Sequence, residues 1–213
     1  MGTYNKGILG PFSGKVGTVV GASWRGKDVL RSLPRKTGRI PTETQLLQRL
    51  LFTTVSEFLT PIGAVISRYY GNNNGDKTRM NQAMSYHMKE AVVYNDPNFD
   101  MMYNKVQISK GDLLGVQNPT VAAIGANGLK YEWEDNSGQG SAKPTDNLVV
   151  VIYEPISGQF YYLLNAATRV NAAITITLPA FFTGLDVQSW ITFAAVDEKS
   201  YATSVYMGSV VVT

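Results

Sequence analysis

From residue 99 onward, apolar and polar residues alternate in short stretches separated by turns rich in Gly, Asn, Asp and Pro. That period of two is the pattern of strands with one buried face. In Gly128-Leu-Lys-Tyr-Glu-Trp-Glu-Asp135 it puts Leu129, Tyr131 and Trp133 on one side, and Lys130, Glu132 and Glu134 on the other. Strands are predicted at 105–109, 129–135, 147–154, 159–164, 173–178, 188–196 and 204–212. Seven short strands so spaced predict an all-β sandwich over residues 99–213.

Residues 42–98 carry a helical pattern instead. Thr42-Glu-Thr-Gln45 fits a capping box directly after Pro41. The stripe Leu47, Leu50, Leu51, Val55 and Phe58 then follows a 3.6-residue period. Pro61 must break or kink this helix, with a second helix over 62–70, a turn-rich segment at 71–76, and a further helix over 78–92. On that last helix Met80, Ala83, Met84, His87, Met88 and Ala91 share one stripe, which predicts a helical hairpin packed through Leu, Phe and Met.

Residues 1–41 read as extended segments punctuated by glycine, with eight of the chain's 20 glycines and few large apolar side chains. A β-ribbon or arm is expected there, ordered against its own body or a neighbouring subunit because it has little core of its own. The predicted fold class is therefore α+β: an N-terminal β-ribbon (1–41), a helical region (42–98) and an all-β sandwich (99–213).

Charge sharpens this division. The chain of 213 residues has a net charge of +3, but residues 1–40 hold eight Lys or Arg against Asp28 alone, while the remainder is mildly acidic. A basic head on an acidic body predicts contact with acidic partners. Lys15, Trp24, Arg25, Lys27, Arg31, Arg35, Lys36 and Arg39 are the candidate interaction residues. The same cations, interleaved with Tyr4, Phe12 and Trp24, also admit a nucleic-acid reading in which phosphates are covered and bases stacked. No recognised nucleic-acid motif accompanies them.

The inventory argues against catalysis. There is no Cys and one His, His87, so disulfides, thiolate metal sites, cysteine nucleophiles and Ser-His-Asp triads are excluded. Gly21-Ala-Ser-Trp-Arg-Gly26-Lys27-Asp28 meets seven positions of a phosphate-binding loop, but the eighth is Asp rather than a Mg²⁺-ligating Ser or Thr. Pro34 follows too soon for a long helix, so a glycine-punctuated hairpin is the better reading. Glu132, Glu134 and Asp135 read as a solvated strand face beside Lys130, and His87 as a satisfied core or interface histidine. Tyr69, Tyr70, Tyr161, Tyr162, Tyr201 and Tyr206 are candidates for a binding surface. No catalytic residue, cofactor or metal is expected. The longest apolar run, Leu148 to Tyr153, is too short to span a bilayer, and the start lacks a signal-peptide pattern, so cytoplasmic synthesis without a membrane span is expected.

Two resemblances add to this reading. Trp133, the Val149-Val-Val-Ile-Tyr153 strand, the Ile174-Thr-Ile-Thr-Leu-Pro179 and Thr183-Gly-Leu-Asp-Val187 corner, and the final pair from Trp190 to Val212 resemble a fibronectin type III domain over about half the chain. Trp190 stands where that family usually has Tyr. Gly7-Ile-Leu-Gly10, Gly14-Lys-Val-Gly17, Trp24-Arg-Gly-Lys27, Val29-Leu-Arg-Ser-Leu-Pro34, Gln45 and Gln48-Arg49 are similar to a family of Bacteroidota proteins with no assigned activity. Some of these segments resemble parts of phage and prophage virion-associated proteins. The resemblance implies a structural or interaction protein that forms a homo-oligomer or larger assembly, with the virion as a destination. The alternative is a nucleic-acid-binding accessory protein.

Overall fold

The computed structural model describes residues 2–3, 12–24, 26–34, 38, 40–72 and 77–213. It divides into two compact units, residues 1–43 and residues 44–213. Arg25, Arg35, Lys36 and Arg39, and positions 73–76 of the turn-rich segment, lie outside the described residues.

The first unit is an antiparallel sheet of β1 (Gly2–Thr3), β2 (Gly14–Val16), β3 (Val19–Trp24) and β4 (Lys27–Ser32), in the order β1-β4-β3-β2. Glycine makes its turns and its close packing possible. Gly17 and Gly26 lie at φ +59° and +75° in the β2–β3 and β3–β4 connections. A Cβ at Gly21 would fall 2.3 Å from the Phe12 carbonyl oxygen. The segment that mimics a phosphate-binding loop is the β3–β4 hairpin, with Trp24 paired to Lys27 and Ser23 to Asp28. A strand rather than a helix follows it.

In the second unit the helices come first: α1 (Glu43–Leu59), α2 (Gly63–Tyr69) and α3 (Arg79–Glu90). Pro61 falls in the break between α1 and α2, whose axes are bent by 86°. Thr78 caps α3, its hydroxyl oxygen accepting the Asn81 N–H at 3.2 Å. A hairpin of β5 (Val92–Asn95) and β6 (Asn98–Met101) follows.

The sandwich comprises β7 (Gln117–Ala123), β8 (Gly128–Glu134), β9 (Asn147–Glu154), β10 (Gln159–Leu163), β11 (Ala173–Thr177), β12 (Asp186–Ala194) and β13 (Val205–Val211). One sheet has the order β11-β8-β7 and the other β10-β9-β12-β13, all pairs antiparallel. First, second and fifth strands thus face third, fourth, sixth and seventh, a fibronectin type III-like sandwich.

The four-stranded sheet is covered on both faces. Leu148, Val150 and Ile152 of β9, with Val187, Ile191 and Phe193 of β12, join Leu129, Tyr131 and Trp133 of β8 in the core between the sheets. Val149 and Val151, with Trp190 and Ala194, join Val55, Phe58, Leu59, Val65, Ile66 and Tyr69 of the helices in a second core. Double burial explains why β9 and β12 read as near-continuous apolar runs while β8 alternates. The helical region and the sandwich, distinct in composition, therefore share a core.

Two strand expectations need correction. Residues 105–109 form no strand: a 3₁₀ turn at Tyr103–Lys105 leads into an extended stretch that buries Val106 and Ile108 among the helices. Its Ile108 N–H donates to the Ser204 hydroxyl at 3.0 Å instead of to a neighbouring strand. The first sandwich strand is β7, which alternation missed because it carries Pro119 and a register shift between Gln117 and Thr120, with Asn118 at φ +46°. An edge position tolerates both.

Candidate functional site

The strand register settles how the described candidate residues of the ribbon are arranged. Lys15 pairs with Val20, Val20 with Arg31, and Trp24 with Lys27. Directly paired residues share a face and alternate residues return to it, so Lys15, Arg31, Trp24 and Lys27 all lie on one face, with Val20, Ala22 and Val29 between them. Lys15 and Arg31 flank Val20 in one row, and Trp24 and Lys27 form another about 13 Å along the strands. All four side chains are exposed. The three cations and the indole surround Val29, which is buried on that same face.

Three grooves mark the surface of the second unit. One of about 480 Å³ lies between α1 and α3, where Met80, Met84 and Met88 face Leu59 and the half-exposed Phe52. A polar one of about 380 Å³ lies beside the end of α2, with Asn72, Lys110, Asp112 and Lys199 around Tyr201. Here the Tyr201 hydroxyl donates to the Gly71 carbonyl.

The third groove, about 340 Å³, is aromatic with an acidic rim. Tyr153 and Phe160 are direct cross-strand partners on β9 and β10, their ring centroids 4.4 Å apart. Phe58 of α1 meets both rings edge-on, at 5.1 Å from each. Tyr103 stands 5.7 Å from Tyr153, and Phe99 completes the lining. Burial and the neighbouring Tyr153 hydroxyl push the Tyr103 phenol up to about 12, so it stays a neutral donor at any ordinary pH. Glu57 and Asp100 supply exposed carboxylates, and neither Lys nor Arg lines the groove. Sequence reading missed this site. The Tyr153 and Phe160 pair was legible in the hairpin, but not the helix that closes over it.

Several polar residues prove structural. His87 is fully buried, its Nδ1–H donating to the Ala83 carbonyl at 2.8 Å while Nε2 accepts the Gln107 N–H at 3.3 Å. Burial depresses its pKa, so the ring is neutral. Glu132 pairs with Lys130 at 2.6 Å on the exposed face of β8, and the expected solvated face is found. Tyr69, Tyr70 and Tyr201 are buried in the helix-side core, and Tyr70 and Tyr201 also border the polar groove. Glu154 closes the β9–β10 turn. Burial acts to raise its carboxyl, but the Ile156 and Ser157 N–H groups and the Ser157 hydroxyl outweigh it and hold the pKa below its ordinary value. Among the described residues no group of three or more His, Asp and Glu is placed to hold a metal ion. None of the described helices is long and apolar enough to cross a membrane.

The family of unknown function DUF6266 matches residues 11–208, a span that takes in the ribbon, the helices and nearly all of the sandwich. The chain belongs to this family. No curated protein matches it in sequence. Among solved structures, the fn3 domain of the human collagen alpha-1(XX) chain is similar at 12% identity and a TM-score of 0.32, covering 49% of this chain and 93% of that one. The DUF6266 match includes Lys15, Trp24, Lys27 and Arg31, the whole helix-side core and all the buried residues of the sandwich core except Val212.

Proposed function

We propose that this DUF6266 protein is a non-enzymatic structural and interaction protein that assembles with copies of itself through its basic ribbon, as a component of a phage or prophage particle. One observation carries the reading: Lys15, Trp24, Lys27 and Arg31 are exposed side chains on one face of the ribbon. A strongly basic unit joined to an acidic body gives each copy complementary surfaces for the next. The particle is supported by the resemblance of the Gly14-Lys-Val-Gly17 segment to virion-associated proteins. No catalytic residue, cofactor or metal enters this function.

Light scattering on the intact chain and on a chain lacking residues 1–40 tests it. Both cores lie within residues 55–212, so the shortened chain keeps them. The intact protein is expected at a multiple of 23.3 kDa and the shortened one as a monomer. Equal, monomeric behaviour of the two sinks the proposal. The same cations, with Lys27 paired to Trp24, also favour a second reading, binding of a nucleic-acid strand. That reading requires oligonucleotide affinity that falls by orders of magnitude between about 50 and 200 mM salt and is lost with residues 1–40.

A further inference from the structure

The self-assembly reading leaves open what receives the basic face. We infer that the aromatic groove formed by Phe58, Phe99, Tyr103, Tyr153 and Phe160, with Glu57 and Asp100 at its rim, binds a Lys or Arg side chain from the ribbon of a second copy. The inference rests on the assembly reading and names the surface that would complete it.

The chemistry is that of cation recognition. The Tyr153 and Phe160 rings, 4.4 Å apart, lie beside Tyr103, so π faces crowd one small volume. Such faces attract an ammonium or a guanidinium, and a planar guanidinium stacks on them best. Asp100 lies on β6 and Glu57 on α1, so two carboxylates from different elements converge on the opening. Asp100 accepts the Asn95 side-chain N–H at 2.5 Å, which fixes its position without neutralising it. Neither carboxylate has an ion-pair partner among the described residues. A site for an anion would set cations there; this one sets two carboxylates among the rings.

Charge complementarity identifies the occupant. Residues 1–40 carry eight of the chain's 19 Lys and Arg residues, and Lys15, Lys27 and Arg31 are exposed side chains on one face of the ribbon. The Met-lined groove between α1 and α3 has no charged lining to match that face. The polar groove opposes it with two lysines, Lys110 and Lys199. The aromatic groove is the one of the three with carboxylates alone.

Full-length charge-reversal variants test the inference. Sedimentation velocity over a concentration series is measured for Glu57→Lys with Asp100→Lys, and separately for Lys27→Glu with Arg31→Glu. All four side chains are exposed, and circular dichroism confirms that each variant folds. Each variant alone is expected to self-associate at least about tenfold more weakly than the native chain. An equimolar mixture is expected to recover association, because each reversed ribbon then meets a reversed groove and each native ribbon a native groove. If the groove variant associates like the native chain while loss of residues 1–40 gives a monomer, the groove inference fails and the assembly reading stands. A mixture that does not recover association also overturns the groove as acceptor. A native chain that stays monomeric at every concentration overturns both. If such a monomer shifts its Tyr153 ring resonances on titration with butylguanidinium, the occupant is a free cation and the inference is equally overturned.

Discussion

Arg169 and Asp146 form an ion pair from which water is excluded, the guanidinium donating to one carboxylate oxygen through Nε at 3.2 Å and through a terminal nitrogen at 3.1 Å. The remaining donors go to the Asn136 side chain and to the Leu114 and Gly115 carbonyls, and the guanidinium lies 4.0 Å from the centre of the Phe193 ring. Trp133 reaches back to the Arg169 carbonyl at 2.8 Å. One side chain thereby ties three connecting segments to one end of the sandwich. Burial lowers the Arg169 pKa while Asp146 acts to raise it, so the guanidinium stays charged at neutral pH. Replacing Asp146 with Ala strands a buried cation and should cost about 3–5 kcal/mol in urea unfolding. Replacing both partners by apolar residues, as Asp146→Leu with Arg169→Met, should cost far less. Equal losses in the two variants would show that the pair is not the source of the effect.

Neither partner of that pair could be recognised in the sequence. Asp146 and Arg169 sit in stretches that read as turns, 23 residues apart, and only the tertiary fold removes them from water. Elements with a strong local signal were readable. β9 runs over the predicted residues 147–154, and Pro61 and Thr78 mark helix ends as capping and ring chemistry require. The β5–β6 hairpin was hidden because Val93 and Tyr94 are exposed apolar residues, so burial imposes no alternation on it. Of the candidate surfaces, the ribbon cations were legible as charge, but their common face follows from register. Three of the aromatic groove's rings come from separate elements, at Phe58, Tyr103 and Tyr153, which no local pattern unites.

Trp190 of β12 faces the helices rather than the core between the sheets. Its indole N–H donates to the Tyr103 carbonyl at 3.2 Å, and its ring meets Phe58 and Tyr206. Trp190→Phe removes the donor and part of the ring volume. A loss of about 2–4 kcal/mol is expected, mainly from the cavity, since the Tyr103 carbonyl still accepts the Val106 N–H at 3.2 Å. An effect below about 0.5 kcal/mol would mean that the helical layer does not depend on this contact.

Gly111 is required by a close approach of two chain segments. A Cβ there would lie 2.1 Å from the Tyr201 carbonyl oxygen and 2.6 Å from its ring, while the Leu113 N–H donates to that same carbonyl at 3.1 Å. Gly111→Ala must push the segments apart, and a loss of about 1–3 kcal/mol or more is expected in chemical denaturation. Gly115 has nothing within 4 Å of a built Cβ, so Gly115→Ala is the control, expected within about 0.5 kcal/mol of the native chain.

Stability should also fall with acid because of His87, the one histidine in the chain. In the fold its ring is buried and neutral, with a pKa below the ordinary 6.5. The unfolded chain takes up a proton there as the pH drops through about 6.5, while the folded chain does so only at lower pH. The unfolded state therefore binds more protons in that interval. Stability is expected to be constant above about pH 7.5 and to decline below 6.5 with a slope approaching 1.4 kcal/mol per pH unit. Ordinary carboxylates titrate well below this range, so a decline between pH 6.5 and 5.5 is assignable to this ring. His87→Gln retains a donor and an acceptor without titrating, so its unfolding free energy should be flat over the same interval, whatever its absolute value. Denaturant midpoints measured at half-unit steps from pH 8 to 5 decide the matter. A native chain as flat as His87→Gln would show that the ring is protonated alike in both states, and the buried neutral tautomer would be wrong.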